Sequence, residues 1–308
     1  MYTSNHPARK VLLFGIGAQK AGTSWLTYNL RQHPQVYSLP VKEVHFLDRI
    51  GLERRVVWRL RASTPREQRH RRVMQKCLRR LCRFKNVSLN LRLLRLLLLP
   101  FTISHIPIYV RIMRGFPKSV SFDMTPAYAK LTREVISAVH RAAPDAKVVF
   151  IMRDLIDRHW SGALMLRFHN TGIVPRPLTW DETIETVQLN NKRNDYLYTI
   201  RNWSSAYPQS QILYCFFDEL RDEPLKFYNR ILHFLGIEEV SVVPIETKVN
   251  EGPKIGIPED VKLQLAKCYY EQTKELATFF QTYDSINYPA QWLKRIENIL
   301  ATEALQTP

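Results

Sequence analysis

Gly17-Ala18-Gln19-Lys20-Ala21-Gly22-Thr23-Ser24-Trp25-Leu26 is the stretch on which the reading of this chain turns. The apolar run Val11-Leu12-Leu13-Phe14 precedes it, and a helix-compatible segment follows it to about His33-Pro34. The run predicts a buried strand over residues 11–16. Strand, glycine loop and helix, in that order, present backbone N–H groups and a helix N-terminus to a phosphate. Gly17 and Gly22 let the backbone turn tightly and come close to an anion.

A second segment completes the pattern. Lys147-Val148-Val149-Phe150-Ile151-Met152 is a short β-branched and apolar run after the turn-like Ala143-Pro144-Asp145, and it predicts another buried strand. It leads directly into Arg153-Asp154-Leu155-Ile156-Asp157-Arg158-His159-Trp160-Ser161. An arginine at the carboxyl end of a strand stands where open α/β sheets bind ligands. Ser161 falls on the helix that follows. Arg153, by charge and fork geometry, and Ser161, by its hydroxyl, suit a phosphate that the first loop does not reach.

A carboxylate or an imidazole in hydrogen-bond reach of a substrate can act as a general base. Pro40-Val41-Lys42-Glu43-Val44-His45-Phe46-Leu47-Asp48 supplies both kinds, in Glu43 and His45. Ser121-Phe122-Asp123-Met124-Thr125-Pro126-Ala127-Tyr128 reads locally as a Thr-Pro turn.

Gly17 and Gly22 keep the spacing of a Walker A loop, G-x-x-x-x-G-K-[ST], but Thr23 stands where its lysine belongs and the lysine has moved to Lys20. This rearranged loop resembles the 5′-phosphosulfate loop, G-x-x-K-[AS]-G-[TS]-[TS]-x-L, of sulfotransferases that use 3′-phosphoadenosine-5′-phosphosulfate (PAPS). The segment from Arg153 to Ser161 resembles the same family's 3′-phosphate motif, R-[ND]-P-x-[DE]-R-x-x-S, with Leu155 where proline is usual. Lys42 to Phe46 resembles the K-E-x-H-[FY] segment of the heparan-sulfate-type, or carbohydrate, branch and its bacterial relatives. Ser121 to Tyr128 is similar to [ED]-x-[TS]-P-x-Y. Asp218-Glu219-Leu220 … Pro224 … Phe234-Leu235-Gly236 resembles E-x-L-x-x-x-P followed by F-L-G. The likeness runs from Val11 to Gly236 and extends weakly to Lys254 in Asn250-Glu251-Gly252-Pro253-Lys254.

The resemblance implies a P-loop-containing three-layer α/β/α fold with a central parallel sheet, one domain over 1–308, and a basic, mostly helical insertion over 51–118. It implies transfer of the sulfuryl group of PAPS to a hydroxyl or amine of a carbohydrate or small-molecule acceptor. Gly17, Gln19, Lys20, Ala21, Gly22, Thr23, Ser24 and Trp25 would hold the 5′ end of the donor. Arg153, Ser161 and Lys254 would hold its 3′-phosphate. Lys20 would lie by the oxygen bridging phosphorus and sulfur, Glu43 would serve as the base, and His45 would support it or replace it. The scheme calls for no metal. A P-loop kinase is the enzymatic alternative and would want the lysine at position 23. A non-enzymatic basic protein bound to membrane or nucleic acid is the structural one.

With 308 residues, 45% hydrophobic and 11% aromatic, the chain can bury the core of an α/β enzyme. Its net charge of +17 is concentrated between Gly51 and Pro100, where fifteen lysines and arginines face only Glu53 and Glu67. Arginines alternate there with leucines, as in Val73-Met74-Gln75-Lys76-Cys77-Leu78-Arg79-Arg80-Leu81, a basic amphipathic pattern. Three readings stay open: a solvated face over the core, a surface for an anionic acceptor or membrane headgroups, and nucleic acid. The scarcity of interleaved aromatics weighs against the last. Cys77, Cys82, Cys215 and Cys268 show no zinc-ligand spacing and read as reduced thiols. Met1 to Arg9 is polar, and Leu96 to Leu99 is far short of the ~20 residues that span a bilayer. The expected location is therefore cytoplasmic, with possible peripheral contact at a membrane surface.

Further elements are expected as strands at 36–39, 119–122 and 211–217, and as helices at 131–142, 154–167, 180–206 and 224–235, the last closing at Gly236. The insertion is expected to be helical from 51 to about 114.

Overall fold

A computed structural model describes residues 10–39, 42–51, 75, 87–171, 176–184, 195–244, 255–283 and 286–306. Five strands form one sheet: β1 (Val11–Gly17), β2 (Val36–Ser38), β3 (Val120–Met124), β4 (Lys147–Met152) and β5 (Ile212–Phe216). Their order is β2-β3-β1-β4-β5, and every neighbouring pair is parallel. Parallel strands are covered on both faces, which is why β1, β3 and β4 are almost wholly buried; β1 and β4 read as nearly continuous apolar runs, while β3 buries Ser121 and Asp123 among its apolar residues.

The helices are α1 (Thr23–Gln32), α2 (Val87–Leu98), α3 (Ile106–Arg114), α4 (Arg133–Ala142), α5 (Leu155–Thr171), α6 (Tyr196–Ser204), α7 (Phe217–Asp222), α8 (Pro224–Leu235), α9 (Glu259–Phe280) and α10 (Tyr288–Gln306). The chain moves one way along the sheet from β1 to β2 and the other way thereafter. Right-handed crossovers therefore put α1 on one face and the helices between β2 and β5 on the other. Packing agrees. Trp25 of α1 meets Phe227 and Tyr228 of α8 edge-on, with ring centroids 6.2 and 6.0 Å apart, while α3, α4 and α6 pack on one another. The direction of strand addition reverses at β1, between β3 and β4, so the loop after β1 opens at the switch point where such sheets bind ligands.

Differences from the expected elements have local causes. The insertion is not one helix in its described part: Pro100 follows α2, and a 3₁₀ turn at Ile103–His105 leads into α3. Most of the basic stretch, 52–74 and 76–86, lies outside the described residues. Of the helix expected over 180–206, residues 180–184 are helical and α6 starts afresh at Tyr196, where Asp195 caps it by accepting the Tyr198 N–H at 2.8 Å. The strand expected to end at 217 stops at Phe216, and α7 begins at once. The Glu219 carboxylate accepts the Phe216 N–H at 3.2 Å and thereby closes the strand end.

Beyond Gly236 the chain builds a helical hairpin, α9 and α10, joined across its open end by Lys267 and Glu303 at 2.7 Å. It packs on β5, the edge strand of the sheet, through the rings of Tyr214 and Phe216. Phe280 lies 5.5 Å from both Tyr214 and Phe216, and Trp292 lies 5.7 Å from Phe216. α9 also buries α5: the Tyr269 hydroxyl donates to His159 Nδ1 at 2.7 Å, and the other ring nitrogen donates to Thr183 O at 3.4 Å. Burial lowers the His159 pKa from 6.5 to about 4, so the native ring is neutral where the unfolded ring is protonated. Between those values the unfolded state binds more protons, and stability falls as pH drops through that window. Urea unfolding is expected to show that loss between about pH 7 and pH 5, on the order of 2 kcal/mol. His159→Gln should flatten the profile whatever its absolute stability; an unchanged slope would place the acid sensitivity elsewhere.

Candidate active site

The loop after β1 is built by its glycines. Gly17 stands at φ 135° and Gly22 at φ 86°, both left-handed, and a Cβ on Gly22 would sit 2.5 Å from the Leu220 side chain. The pairing of β1 with β4 shifts register between Gly15 and Gly17, an irregularity of the kind that re-aims a strand end. Leu26 N–H makes the first ladder bond of α1, to Gly22 O at 3.1 Å. The N–H groups just ahead of it are those a helix leaves outside its own ladder. Ala21, expected among the anion donors, directs its N–H to Ala18 O at 3.3 Å, so Gly22, Thr23 and Ser24 are better placed for that task. Trp25 has its indole in the core between α1 and α8, which leaves only its backbone for a ligand.

The arginine at the end of β4 comes to this loop. Arg153 Nη1 donates to Lys20 O at 3.0 Å, and its guanidinium lies over the Phe217 ring at 4.5 Å. Tyr196 latches the backbone there: its hydroxyl accepts the Arg153 N–H at 3.2 Å and donates to Arg153 O at 2.7 Å. Arg158 Nε donates to Gln19 O at 2.9 Å. Ser161 lies on the second turn of α5, and its hydroxyl forms no hydrogen bond among the described residues. Lys254 lies outside the described residues.

Lys20, Lys42 and Arg153 converge at this loop. Burial lowers the Lys20 pKa, and the neighbouring charges of Arg153 and Lys42 lower it further. Burial also lowers the Arg153 pKa, against the upward pull of Asp157, Tyr196, Asp154 and Asp218, and an arginine keeps its charge at neutral pH. Mutually repelling, partly dehydrated cations beside a helix N-terminus suit an anion with several negative oxygens.

The Lys42–Phe46 segment docks against the same loop. Lys42 Nζ donates to Ser24 Oγ in a short hydrogen bond and pairs with Glu43 at 3.6 Å. His45 is held between two carboxylates, Nδ1 at 2.8 Å from Asp48 Oδ2 and Nε2 at 3.1 Å from Glu43 Oε2. An ionised carboxylate only accepts, so either the ring carries both protons or one of the two contacts is made by a protonated carboxyl. The Glu43 side chain is 29% exposed and that of His45 only 3%, so Glu43 is the member a ligand can touch. Lys20, Glu43 and His45 stand at φ 68°, 59° and 53°, the three non-glycine residues with positive φ among the described residues. Each such conformation costs about 1–3 kcal/mol, and the surroundings must enforce it.

The enforcing structure lies beneath the segment. Asp123, fully buried at the end of β3, accepts from Thr125 Oγ1 at 2.6 Å, Tyr128 Oη at 2.7 Å and Tyr109 Oη at 2.8 Å, and more distantly from Val44 N–H at 3.4 Å. The Tyr128 hydroxyl in turn accepts the N–H groups of Phe46 at 3.2 Å and Leu47 at 3.4 Å. Burial raises the Asp123 pKa, while these hydrogen bonds oppose the rise. Tyr109 and Tyr196 lie in none of the quoted motifs; Asp48 and Arg158 lie within them, Arg158 at the second arginine of the 3′-phosphate pattern, but the motifs assign neither a role.

A cleft of about 360 Å³ opens beside these groups, with Glu43, His45 and Asp48 on one side and Pro126, Leu131 and Val135 on the other. Gln19 and Arg158 lie at the donor-loop end of its lining. Among the described residues no group of His, Cys, Asp or Glu is arranged to hold a metal ion, and no helix is long and apolar enough to cross a membrane.

Comparison with known proteins adds the following. A sulfotransferase family model matches residues 13–241, from β1 through α8. Among solved structures the chain is similar to a sulfotransferase from Alicyclobacillus acidocaldarius, 19% identical, covering 95% of this chain and 96% of that one at a TM-score of 0.52. It is also similar to the sulfotransferase domain from the Synechococcus PCC 7002 olefin synthase, 16% identical over 86% of this chain and 96% of that one, with a TM-score of 0.51. At such identities the likeness is one of fold. No curated protein matches the chain.

Proposed function

The chain belongs to the sulfotransferase family, and from that premise we propose that it uses PAPS as donor and a hydroxyl or amine of a carbohydrate or small molecule as acceptor. The observation that carries this reading is the meeting of Lys20, Lys42 and Arg153 at one glycine loop. A nucleotide with phosphate at both its 5′ and 3′ positions matches that charge. Gly22, Thr23 and Ser24 would hold the 5′-phosphate, with Gly17 and Gln19 shaping the loop around it. Arg153 and Ser161 would hold the 3′-phosphate, with Lys254 as a further contact. The donor supplies the activated sulfuryl group.

Chemically, transfer of such a group resembles loose phosphoryl transfer, in which positioning and charge stabilisation do most of the work. Lys20 stabilises charge on the departing side. Its burial strengthens that effect, since a cation in a poorly hydrated site acts on developing charge with less screening. Glu43 takes the acceptor's proton. His45, oriented by Asp48, fixes the carboxylate and stabilises it as its protonation changes. The acceptor enters through the cleft bordered by Leu131 and Val135. The basic stretch between Gly51 and Pro100 is proposed to meet an anionic acceptor or membrane headgroups.

The test is made on the full chain. Adenosine 3′,5′-bisphosphate is expected to raise the thermal midpoint while ATP with magnesium does not, and labelled PAPS should pass its sulfuryl group to a member of an acceptor panel. Arg153→Ala should weaken the bisphosphate far more than adenosine 5′-monophosphate, by about 1.5–3 kcal/mol for a charge-assisted contact. Stabilisation by ATP with magnesium alone would overturn the donor assignment. Equal losses for the two adenosine nucleotides would remove Arg153 from the 3′-phosphate site.

A further inference from the structure

The family match ends at residue 241, well before α10, yet α10 reaches the strand end that carries Arg153. Arg295 Nη1 lies 3.1 Å from Asp154 Oδ2, and Arg295 Nη2 donates to Asp157 Oδ1 at 2.9 Å. One turn earlier, Trp292 Nε1 donates to Asp218 Oδ2 at 3.2 Å. Asp157, Asp154 and Asp218 are carboxylates whose charges bear on the Arg153 guanidinium. One helix thus brings a partner to each of them.

Asp154 has a second task. Its Oδ1 accepts the N–H groups of Ile156 at 2.9 Å and Asp157 at 3.1 Å, so it caps α5, the helix that carries Ser161. This capping carboxylate is buried, with only 4% of the residue exposed, and a buried carboxylate requires a compensating charge. Arg295 supplies it. Its fork suits two carboxylates three positions apart at a helix start, a task for which the point charge of a lysine is less apt. Without Arg295, Asp154 and Asp157 would offset the positive field at Arg153 that an incoming anion must find.

Resting on the donor reading above, we propose that α10 balances charge at the donor site and that Arg295 is a positioning residue for 3′-phosphate recognition. By engaging Asp154 and Asp157, it leaves the charge of Arg153 to the nucleotide and holds the start of α5 in register with it. The C-terminal hairpin is thereby part of the donor site, although it contributes no residue to the recognised motifs.

Calorimetric titration of the full chain with adenosine 3′,5′-bisphosphate and with adenosine 5′-monophosphate tests this. The preference for the bisphosphate is expected to fall roughly tenfold in Arg295→Ala, the scale of coupling between neighbouring charges. Arg295→Lys, which keeps the charge, should recover part of the preference. Arg295→Ala combined with Asp157→Asn removes a carboxylate left unpaired, and should restore much of the preference even if the protein melts earlier. A purely structural role would weaken both nucleotides alike, and would leave the double variant no better than the single one; that pattern overturns the proposal. If Arg295→Ala does not fold, the lysine and double variants decide by the same ratio. A wild-type protein that binds the two nucleotides equally would instead sink the donor reading, and the role of Arg295 with it.

Discussion

Lys20→Ala is expected to abolish nearly all sulfuryl transfer while the protein still binds adenosine 3′,5′-bisphosphate. The loss follows from where the ammonium sits. Lys20 is held at φ 68° in the turn between β1 and α1, beside Arg153 and Lys42, and burial lowers its pKa. A charge fixed in a partly dehydrated site contributes most where new negative charge develops, and removal of one such group typically costs about 10²–10³ in rate. Product binding should survive, because the loop's N–H groups and Arg153 remain. A second consequence concerns stability. The folded state disfavours the charged lysine, a penalty that is present at neutral pH and relieved as pH rises through the lowered pKa. Lys20→Met, which keeps the aliphatic stem, should therefore melt no lower than wild type at neutral pH. Substantial turnover by Lys20→Ala would remove Lys20 from the chemical step. A large loss of stability in Lys20→Met would mean that the ammonium is a structural tie.

Glu43→Gln should reduce turnover by about 10²–10⁴, the usual cost of losing a positioned base, with donor affinity little changed. The amide keeps the size of the side chain and can still meet His45, but it cannot take a proton. Geometry ranks the two candidates: both line the cleft, but Glu43 is the more exposed, whereas His45 is buried with both ring nitrogens committed to Glu43 and Asp48. His45→Ala should accordingly do less harm than Glu43→Gln, and the harm should come through misplacement of the carboxylate. Steady-state rates of both variants, together with bisphosphate titrations, check this. The reverse ranking would transfer the role to the imidazole. Comparable losses in both variants with weakened donor binding would make the segment structural and direct attention to the buried carboxylate of Asp123.

The parts of the molecule that were legible before any coordinates share one property: their determinants lie within about ten residues of each other. The β1–loop–α1 unit, the strand that ends at Arg153 and the stop of α8 at Gly236 depend on local apolar runs, glycine positions and helix ends. The helix expected over 180–206 is broken at Asp195 for a related reason. A helical pattern does not by itself announce a restart such as the one at Asp195, where a side chain caps the new helix. α9 and α10 carry no loop or motif that marks a function.

From its sequence alone this chain determined a strand–glycine loop–helix at its start, an arginine at the end of a second buried strand, and a carboxylate and an imidazole two positions apart. Only the tertiary structure decided that these lie together. The parallel order β2-β3-β1-β4-β5 sets the end of β4 beside the loop after β1, and Lys42 ties the segment after β2 to the same loop. The strained backbone at Glu43 and His45 is held by Asp123 and Tyr128, some eighty positions away, and Arg295 reaches Asp157 across 138 positions. No local rule encodes such pairs. They exist because burial of the sheet's two faces leaves one arrangement in which those polar groups find partners away from water.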